Sequence, residues 1–190
     1  HCIRKMYGAP MTEEMLRTFN TEFNVPWMIE GYGMSEIPGA GCNPFLGPHK
    51  LGSIGVAAVH PRFGTDFSQL RVVDDAGRDV AIGEVGELVV RTPIAFKEYL
   101  NDSEQTAAPY RGAWFLTGDL ARRDDEDYFY FVARKKDIIR RRGENISGAE
   151  LDRVVSEHPG VLEAAAIGVP SELGDEEILV AVVPKPSAQL

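Results

Sequence analysis

The sequence predicts a fold of mixed α/β and α+β type in three parts: the end of an α/β subdomain over residues 1–50, a small, mostly antiparallel β subdomain over 51–135, and a truncated α+β C-terminal domain over 136–190. Three observations carry that prediction. A helical pattern, a short apolar strand and a glycine-punctuated stretch follow one another between residues 11 and 36, which is the rhythm of an α/β unit. Short strand patterns separated by Gly and Asp turns fill residues 69–134, as in antiparallel sheets. A capping box at residues 147–150 opens a helix that is followed by two more strands.

The 190 residues suffice for one domain and a smaller second one. An apolar fraction of 44% and a charged fraction of 26% are those of an ordinary globular protein. The net charge of −9 argues against a general nucleic-acid binder. Cys2 and Cys42 stand far apart, which excludes a disulfide scaffold and a cysteine zinc site and fits a reducing cytoplasm. His1, His49, His60 and His158 show no metal-ligand spacing, and no apolar run is long enough for a membrane span. The start, His1-Cys2-Ile3, lacks an initiator Met and falls in mid-pattern, so the chain is expected to be a piece of a longer protein.

Taken in order, Met11-Thr12-Glu13-Glu14 reads as a helix start, with Thr12 as N-cap and two acids in the first turn. Met15, Leu16, Phe19 and Phe23 recur at helical spacing and predict one buried face; Asn24 and Pro26 end the helix. Residues 25–29 are short, apolar and β-like, and run into a glycine loop, Glu30-Gly31-Tyr32-Gly33-Met34-Ser35-Glu36. In such units ligands sit beyond the carboxyl ends of strands. Residues 43–64 read as an irregular connection. Strands follow at 69–73, closed by Asp74-Asp75-Ala76-Gly77, and at 87–91, with a short capped helix at 101–107. Residues 114–134 form two apolar-patterned segments around an acidic break at 124–127. That is a β-hairpin, and it brings Asp119 and Arg134 near one another at its open end. After the capping box, Leu151, Val154, Val155 and His158 make a helix face ended by Pro159-Gly160, and strands at 161–169 and 177–183 flank a turn containing Gly174 and Asp175.

Four stretches carry candidate chemistry. In residues 31–36, glycines let backbone amides approach an anion, Ser35 can donate to a phosphate oxygen, Glu36 can help hold Mg²⁺, and Tyr32 offers a flat face to a base. The same letters also spell a glycine turn with a locally packed tyrosine. Gly8-Ala9-Pro10 can seat a flat ligand against the backbone, or simply turn the chain. Asp119 can accept from both hydroxyls of a vicinal diol, as an acid does in recognising ribose, or bond its own turn. Residues 134–142 hold six basic residues and one acid, a stripe that suits a ligand carrying several phosphates; a solvated strand face is the plain alternative. A nucleic-acid patch lacks the interleaved aromatics it would need.

In this order and spacing, GAP at 8–10, GYGMSE at 31–36, GELVVRTP at 86–93, WFLTGDLARRD at 114–124 and RKKDIIRRRGENISGAEL at 134–151 resemble the adenylate-forming superfamily of acyl-CoA synthetases, luciferases and peptide-synthetase adenylation domains. The likeness covers essentially the whole chain, and its last two motifs are the specific ones. By resemblance, Glu30 meets the adenine amino group, Gly8, Ala9, Pro10 and Gly31 wall the adenine, and Tyr32 stacks on it. Gly33, Met34 and Ser35 meet the α-phosphate, and Glu36 is the Mg²⁺-associated acid; Ser35 and Glu36 are the implied catalytic pair. Asp119 and Arg134 bind the ribose hydroxyls, with Phe131 a neighbouring contact. Lys136 is the hinge of the small C-terminal domain, and Gly143 lines the pantetheine tunnel.

Within the superfamily, DIIRRRGENISGAEL is most similar to the acyl-CoA ligases, particularly those for fatty and carnitine-type acids. The implied reaction joins ATP and a small-molecule carboxylic acid into acyl-AMP and pyrophosphate, then passes the acyl group to coenzyme A. Ser35 stands where Thr is commoner, and Lys136 where many relatives have Asp. The family's phosphate loop is expected upstream of residue 1 and its adenylation lysine beyond Leu190, so the fragment alone is expected to be inactive. Residues 37–40 are expected to border the acyl pocket. A different acceptor, such as a carrier protein, and a non-catalytic adenylate-binding module both remain open.

Overall fold

The computed structural model describes residues 2–9, 11, 13–44, 47–60, 62, 64, 67–141, 143–171 and 176–186. They fall into two compact units, residues 1–132 and 133–190.

The first unit opens with strand β1 (Lys5–Gly8), helix α1 (Glu13–Thr21) and strand β2 (Trp27–Met34). β1 and β2 pair in parallel, Lys5 opposite Trp27 and Gly8 opposite Glu30. Thr12, expected as the N-cap, lies outside the described residues. Leu16 and Phe19 of α1 pack with Met6 against Met11, Val25 and Met28, forming a small core beneath the helix. Met15 and Phe23 of the expected face are instead exposed; Phe23 lies past the helix, which stops at Thr21, and Asn24 then turns the chain with φ 47°. Phe23 still lays its ring 5.3 Å from Phe19.

The glycine stretch is a strand rather than a loop. β2 runs on through Gly31 and Gly33, turns at Ser35-Glu36, and returns as β3 (Ile37–Cys42), antiparallel to β2. Glycine serves here by letting backbones close in. A Cβ on Gly33 would stand 2.5 Å from the Gly39 amide nitrogen, where the register shifts between Tyr32 and Met34. Residues 37–40 are therefore strand as well, and a short strand β4 (Val56–Ala57) completes the order β1-β2-β3-β4.

The second sheet of this unit is antiparallel: β5 (Gln69–Val73), β6 (Gly86–Arg91), β7 (Tyr110–Arg111), β8 (Trp114–Arg123) and β9 (Phe129–Arg134), in the order β5-β6-β8-β7 with β9 also on β8. The expected turn after β5 forms, with the Gly77 amide donating to the Asp74 carbonyl at 2.9 Å and Gly77 at φ 80°. A short helix α2 (Ser103–Ala107) lies before β7, capped by Asp102, whose carboxylate accepts from the Gln105 amide. One apolar core joins the two sheets: Ile37 and Ala40 from the first, Leu70, Leu88, Val90 and Phe115 from the second, with Tyr32 among them. Leu88 is 0% and Val90 1% exposed.

The second unit holds two hairpins and a helix. A single 3-10 turn (Lys135–Asp137) leads into β10 (Ile138–Arg141), which pairs with β11 (Glu144–Ser147) about a turn where Gly143 takes φ 81°. Helix α3 (Gly148–Ser156) starts as the capping box predicts, the Ser147 hydroxyl accepting from the Glu150 amide at 3.3 Å. β12 (Val161–Pro170) and β13 (Glu176–Pro184) pair antiparallel. The turn expected at Gly174 and Asp175 lies outside the described residues. α3 lies against β12, with the Asp152 carboxylate accepting from the Ala166 amide at 2.5 Å. Of the face expected on α3, Leu151 and Val155 are half-buried, whereas Val154 and His158 are exposed.

Candidate functional site

Gly8 and Glu30 stand at the end of the parallel register of β1 and β2. β1 ends in Gly8, and the register sets it beside Glu30 of β2. The Glu30 carboxylate accepts from the Met11 amide at 3.1 Å, so it spans the turn that follows β1. Partial burial pushes the Glu30 pKa up, and the Met11 hydrogen bond opposes that. Gly8 is packed on one side: a Cβ there would lie 2.5 Å from Met11 Sδ. Ala9 is exposed beside it, and Pro10 lies outside the described residues. A side chain on Gly31 would overlap the Tyr7 ring, which fills that face of β2. Partial desolvation, helped by the neighbouring Cys42, raises the pKa of the Tyr7 phenol, although the residue as a whole is 58% exposed.

One residue further on, Tyr32 is 9% exposed, with its ring in the core between the sheets. Its hydroxyl donates to Asp119 Oδ2 at 2.5 Å across 87 residues of sequence. Asp119 is 1% exposed. The Thr-Gly-Asp turn around it is built into β8. The Thr117 hydroxyl donates to the Leu88 carbonyl at 2.7 Å and accepts from the Asp119 amide at 3.0 Å, while Gly118 takes φ 70° and gives its amide to Glu87. Thr117 and Gly118 thus serve the backbone of this turn, and the Asp119 carboxylate faces Tyr32.

Gly33, Met34 and Ser35 lead to the turn between β2 and β3, where Gly33 and Ser35 are exposed and Met34 packs at the edge of the core. Glu36 is half-buried there, and its Oε1 accepts from the Tyr99 hydroxyl at 2.5 Å. Among the described residues there is no group of three or more His, Cys, Asp or Glu side chains able to hold a metal. Phe131, on β9, is 44% exposed.

In the second unit, Arg134, Lys136 and Gly143 are all exposed. The basic stripe is partly committed internally, since the Arg141 guanidinium pairs with Glu177 at 2.7 Å and the Arg140 amide donates to Glu176 at 2.8 Å. Arg142 lies outside the described residues.

Residues 1–100 match the family model described as AMP-binding enzyme. The chain belongs to the AMP-binding enzyme family. It is 40% identical over 177 residues to the long-chain-fatty-acid–CoA ligase of Yersinia pestis, covering 93% of this chain and 30% of the ligase. Among solved structures it is similar to ATP-bound MatB from Rhodopseudomonas palustris, with TM-score 0.77 and 29% identity over 98% of this chain and 36% of that one. It is also similar to the AMP complex of the O-succinylbenzoate coenzyme A synthetase MenE from Bacillus subtilis, with TM-score 0.77 and 27% identity over 98% of this chain and 37% of that one. The chain thus spans about a third of the length of the relatives it matches. No helix among the described residues is long and apolar enough to cross a membrane.

Sequence reasoning missed several partners of these residues, among them Tyr32 on Asp119, Tyr7 against Gly31, Glu87 under Gly118, and Tyr99 on Glu36. The last acts across 63 residues, and nothing local to the GYGMSE motif points to it.

Proposed function

We propose that this chain is part of an AMP-forming acid–thiol ligase, which adenylates a carboxylic acid with ATP and transfers the acyl group to coenzyme A. The observation that carries the reading is the buried Tyr32–Asp119 hydrogen bond, because it joins the GYGMSE and TGD motifs beside the mouth of the parallel strands. Gly8, Ala9 and Gly31 wall an adenine there, together with Pro10. Glu30 accepts from its amino group, and Tyr32 meets the ring while holding Asp119. Asp119 accepts from ribose hydroxyls, a role that the resemblance also gives to Arg134, with Phe131 adjoining.

In the first step a carboxylate oxygen bonds to the α-phosphorus and the bond to pyrophosphate breaks. Negative charge builds on the phosphoryl oxygens, and the Ser35 hydroxyl with the backbone of Gly33 and Met34 is disposed to donate to them. Mg²⁺, when bound, neutralises phosphate charge, and Glu36 is the residue of this chain that would hold it. In the second step the thiol of coenzyme A attacks the acyl carbon and AMP leaves. Lys136 serves as the pivot between the two steps, and Gly143 lines the path of the pantetheine arm. A cytoplasmic setting and a fatty or related acid as substrate complete the reading.

Titrating the full-length protein with AMP tests it: binding that weakens at least about 100-fold in Asp119→Ala is expected, as for loss of two charge-assisted hydrogen bonds. Equal affinity in both proteins would sink the nucleotide assignment. Pyrophosphate release with a panel of acids, followed by transfer to coenzyme A against a carrier-protein phosphopantetheine, then identifies the substrate and the acceptor.

A further inference from the structure

The connection between β6 and α2 returns to the Ser35-Glu36 turn and fastens it at two points. The Phe96 amide donates to the Glu36 carbonyl at 2.6 Å, and the Tyr99 hydroxyl donates to Glu36 Oε1 at 2.5 Å. Tyr99 is itself anchored. Its amide donates to the Thr106 hydroxyl at 2.9 Å, which in turn donates to the Asp102 carbonyl at 2.6 Å. Its ring stands 4.7 Å from that of Phe96, which meets the buried Phe115 edge-on at 6.1 Å. The support therefore runs from the sheet core through Phe96 and Tyr99 to a single carboxylate oxygen. A carboxylate held in one orientation loses less side-chain freedom when it takes up a cation than one that must first be ordered.

We propose that Tyr99 is a positioning residue: its hydroxyl fixes one oxygen of Glu36 and thereby orients the carboxylate toward the cation and phosphates that the GYGMSE turn serves. This rests on the reading of Glu36 as the cation-associated acid. It assigns a role to a side chain outside every motif by which the sequence was read.

The test is pyrophosphate release by the full-length enzyme, measured against Mg²⁺ concentration in wild type, Tyr99→Phe and Glu36→Gln. Tyr99→Phe keeps the ring and its contacts and deletes only the hydroxyl. It is expected to raise the half-activating Mg²⁺ concentration about tenfold, the usual worth of one hydrogen bond to a charged group. The KM for the carboxylic acid and the thermal midpoint are expected to stay at wild-type values. A shifted Mg²⁺ dependence in Glu36→Gln alone overturns the role of Tyr99 and leaves that of Glu36 standing. An unchanged dependence in both variants overturns the Glu36 reading as well. A Tyr99→Phe protein that melts earlier and loses affinity for all substrates alike shows a merely structural tyrosine, and also overturns the proposal.

Discussion

Asp119, Asp124 and Arg134 come from one stretch of sequence, the β8–β9 hairpin, yet they occupy three different surroundings. Asp119 is 1% exposed, hydrogen-bonded to Tyr32, and set in a turn tied to the neighbouring strand. The Asp124 side chain is 18% exposed within a cluster of charges and hydroxyls. Arg134, the first candidate residue of the second unit, is exposed. The contrast shows how unevenly one hairpin shares in stability. A carboxylate buried in the core cannot be changed without loosening the fold, whereas exposed groups carry less of it.

The largest effect expected from this contrast is in Asp119→Ala. Beyond its loss of AMP affinity, the variant gives up a buried hydrogen bond to a charged group, so a fall of about 2–3 kcal/mol in unfolding free energy is expected. Urea denaturation of the full-length protein measures it. Undiminished stability would break the claim that this acid belongs to the core. Next comes Gly33→Ala, whose new Cβ meets the Gly39 backbone nitrogen at 2.5 Å. Backbone on both sides leaves no flexible side chain to give way, and overpacking of this kind costs about 1–3 kcal/mol. A wild-type thermal midpoint in Gly33→Ala would mean that the two strands separate more easily than their register implies.

Much of this was legible in the sequence, for reasons that differ along the chain. The hairpin at 114–134 and the strand at 69–73 were readable because alternating apolar residues end at Asp- and Gly-rich turns, and local chemistry alone decides them. The stretch at 31–36 was misread as a loop because two glycines ordinarily break a strand. Here they permit one, since Tyr7 from β1 and Gly39 from β3 occupy the space that side chains would take. That information lies in other strands and is absent from the motif itself. The face of α3 failed for a similar reason: helical spacing offers Leu151, Val154, Val155 and His158 equally, and only the position of β12 selects Leu151 and Val155. The site followed the same rule. The Thr-Gly-Asp motif names Asp119 as a candidate, whereas the hydrogen bonds that join Tyr32 to Asp119 and Tyr99 to Glu36 are set only by the fold.

Arg134→Ala tests the other pole of the comparison. Exposed side chains carry less of the fold than buried ones, so a smaller loss of stability than in Asp119→Ala is expected here. If the side chain serves the ribose, adenylate formation falls about tenfold, as for one lost charge-assisted hydrogen bond. A destabilised variant would place Arg134 with Asp119 rather than opposite it. An unaltered rate in a stable variant would remove Arg134 from the site.

The smallest effect belongs to the intermediate case. Lys50 Nζ lies 2.7 Å from Asp124, contacts Glu126, and stands over the Tyr128 ring. Partial burial alone would raise the Asp124 pKa. The Lys50 ammonium, the Tyr128 and Glu126 amides and the Tyr130 hydroxyl together outweigh it and hold the group at about 2, against an ordinary 3.8. A carboxyl depressed in the folded state adds stability that is fully present above its unfolded value and lost as pH falls through its folded one. For Asp124 that window runs from 3.8 down to about 2. Lys50 shifts the opposite way, its pKa raised by the same bond, so its contribution persists through neutral and acid pH and disappears only in strong alkali. Asp74, whose pKa its bonds to Arg78 also lower, shares the acid limb, so the difference between wild type and a Lys50 variant is what reports Asp124. In Lys50→Met one of several stabilising partners is gone while the amides and Tyr130 remain. The acid limb is expected to move up by a fraction of a pH unit, with AMP affinity at neutral pH unchanged because Asp119 keeps its own partners. Following the denaturation midpoint from pH 5 to pH 2 reads the first, and AMP titration reads the second. If AMP affinity falls with Lys50, the turn of the hairpin and its buried acid are mechanically coupled, and the three surroundings along the hairpin are not independent.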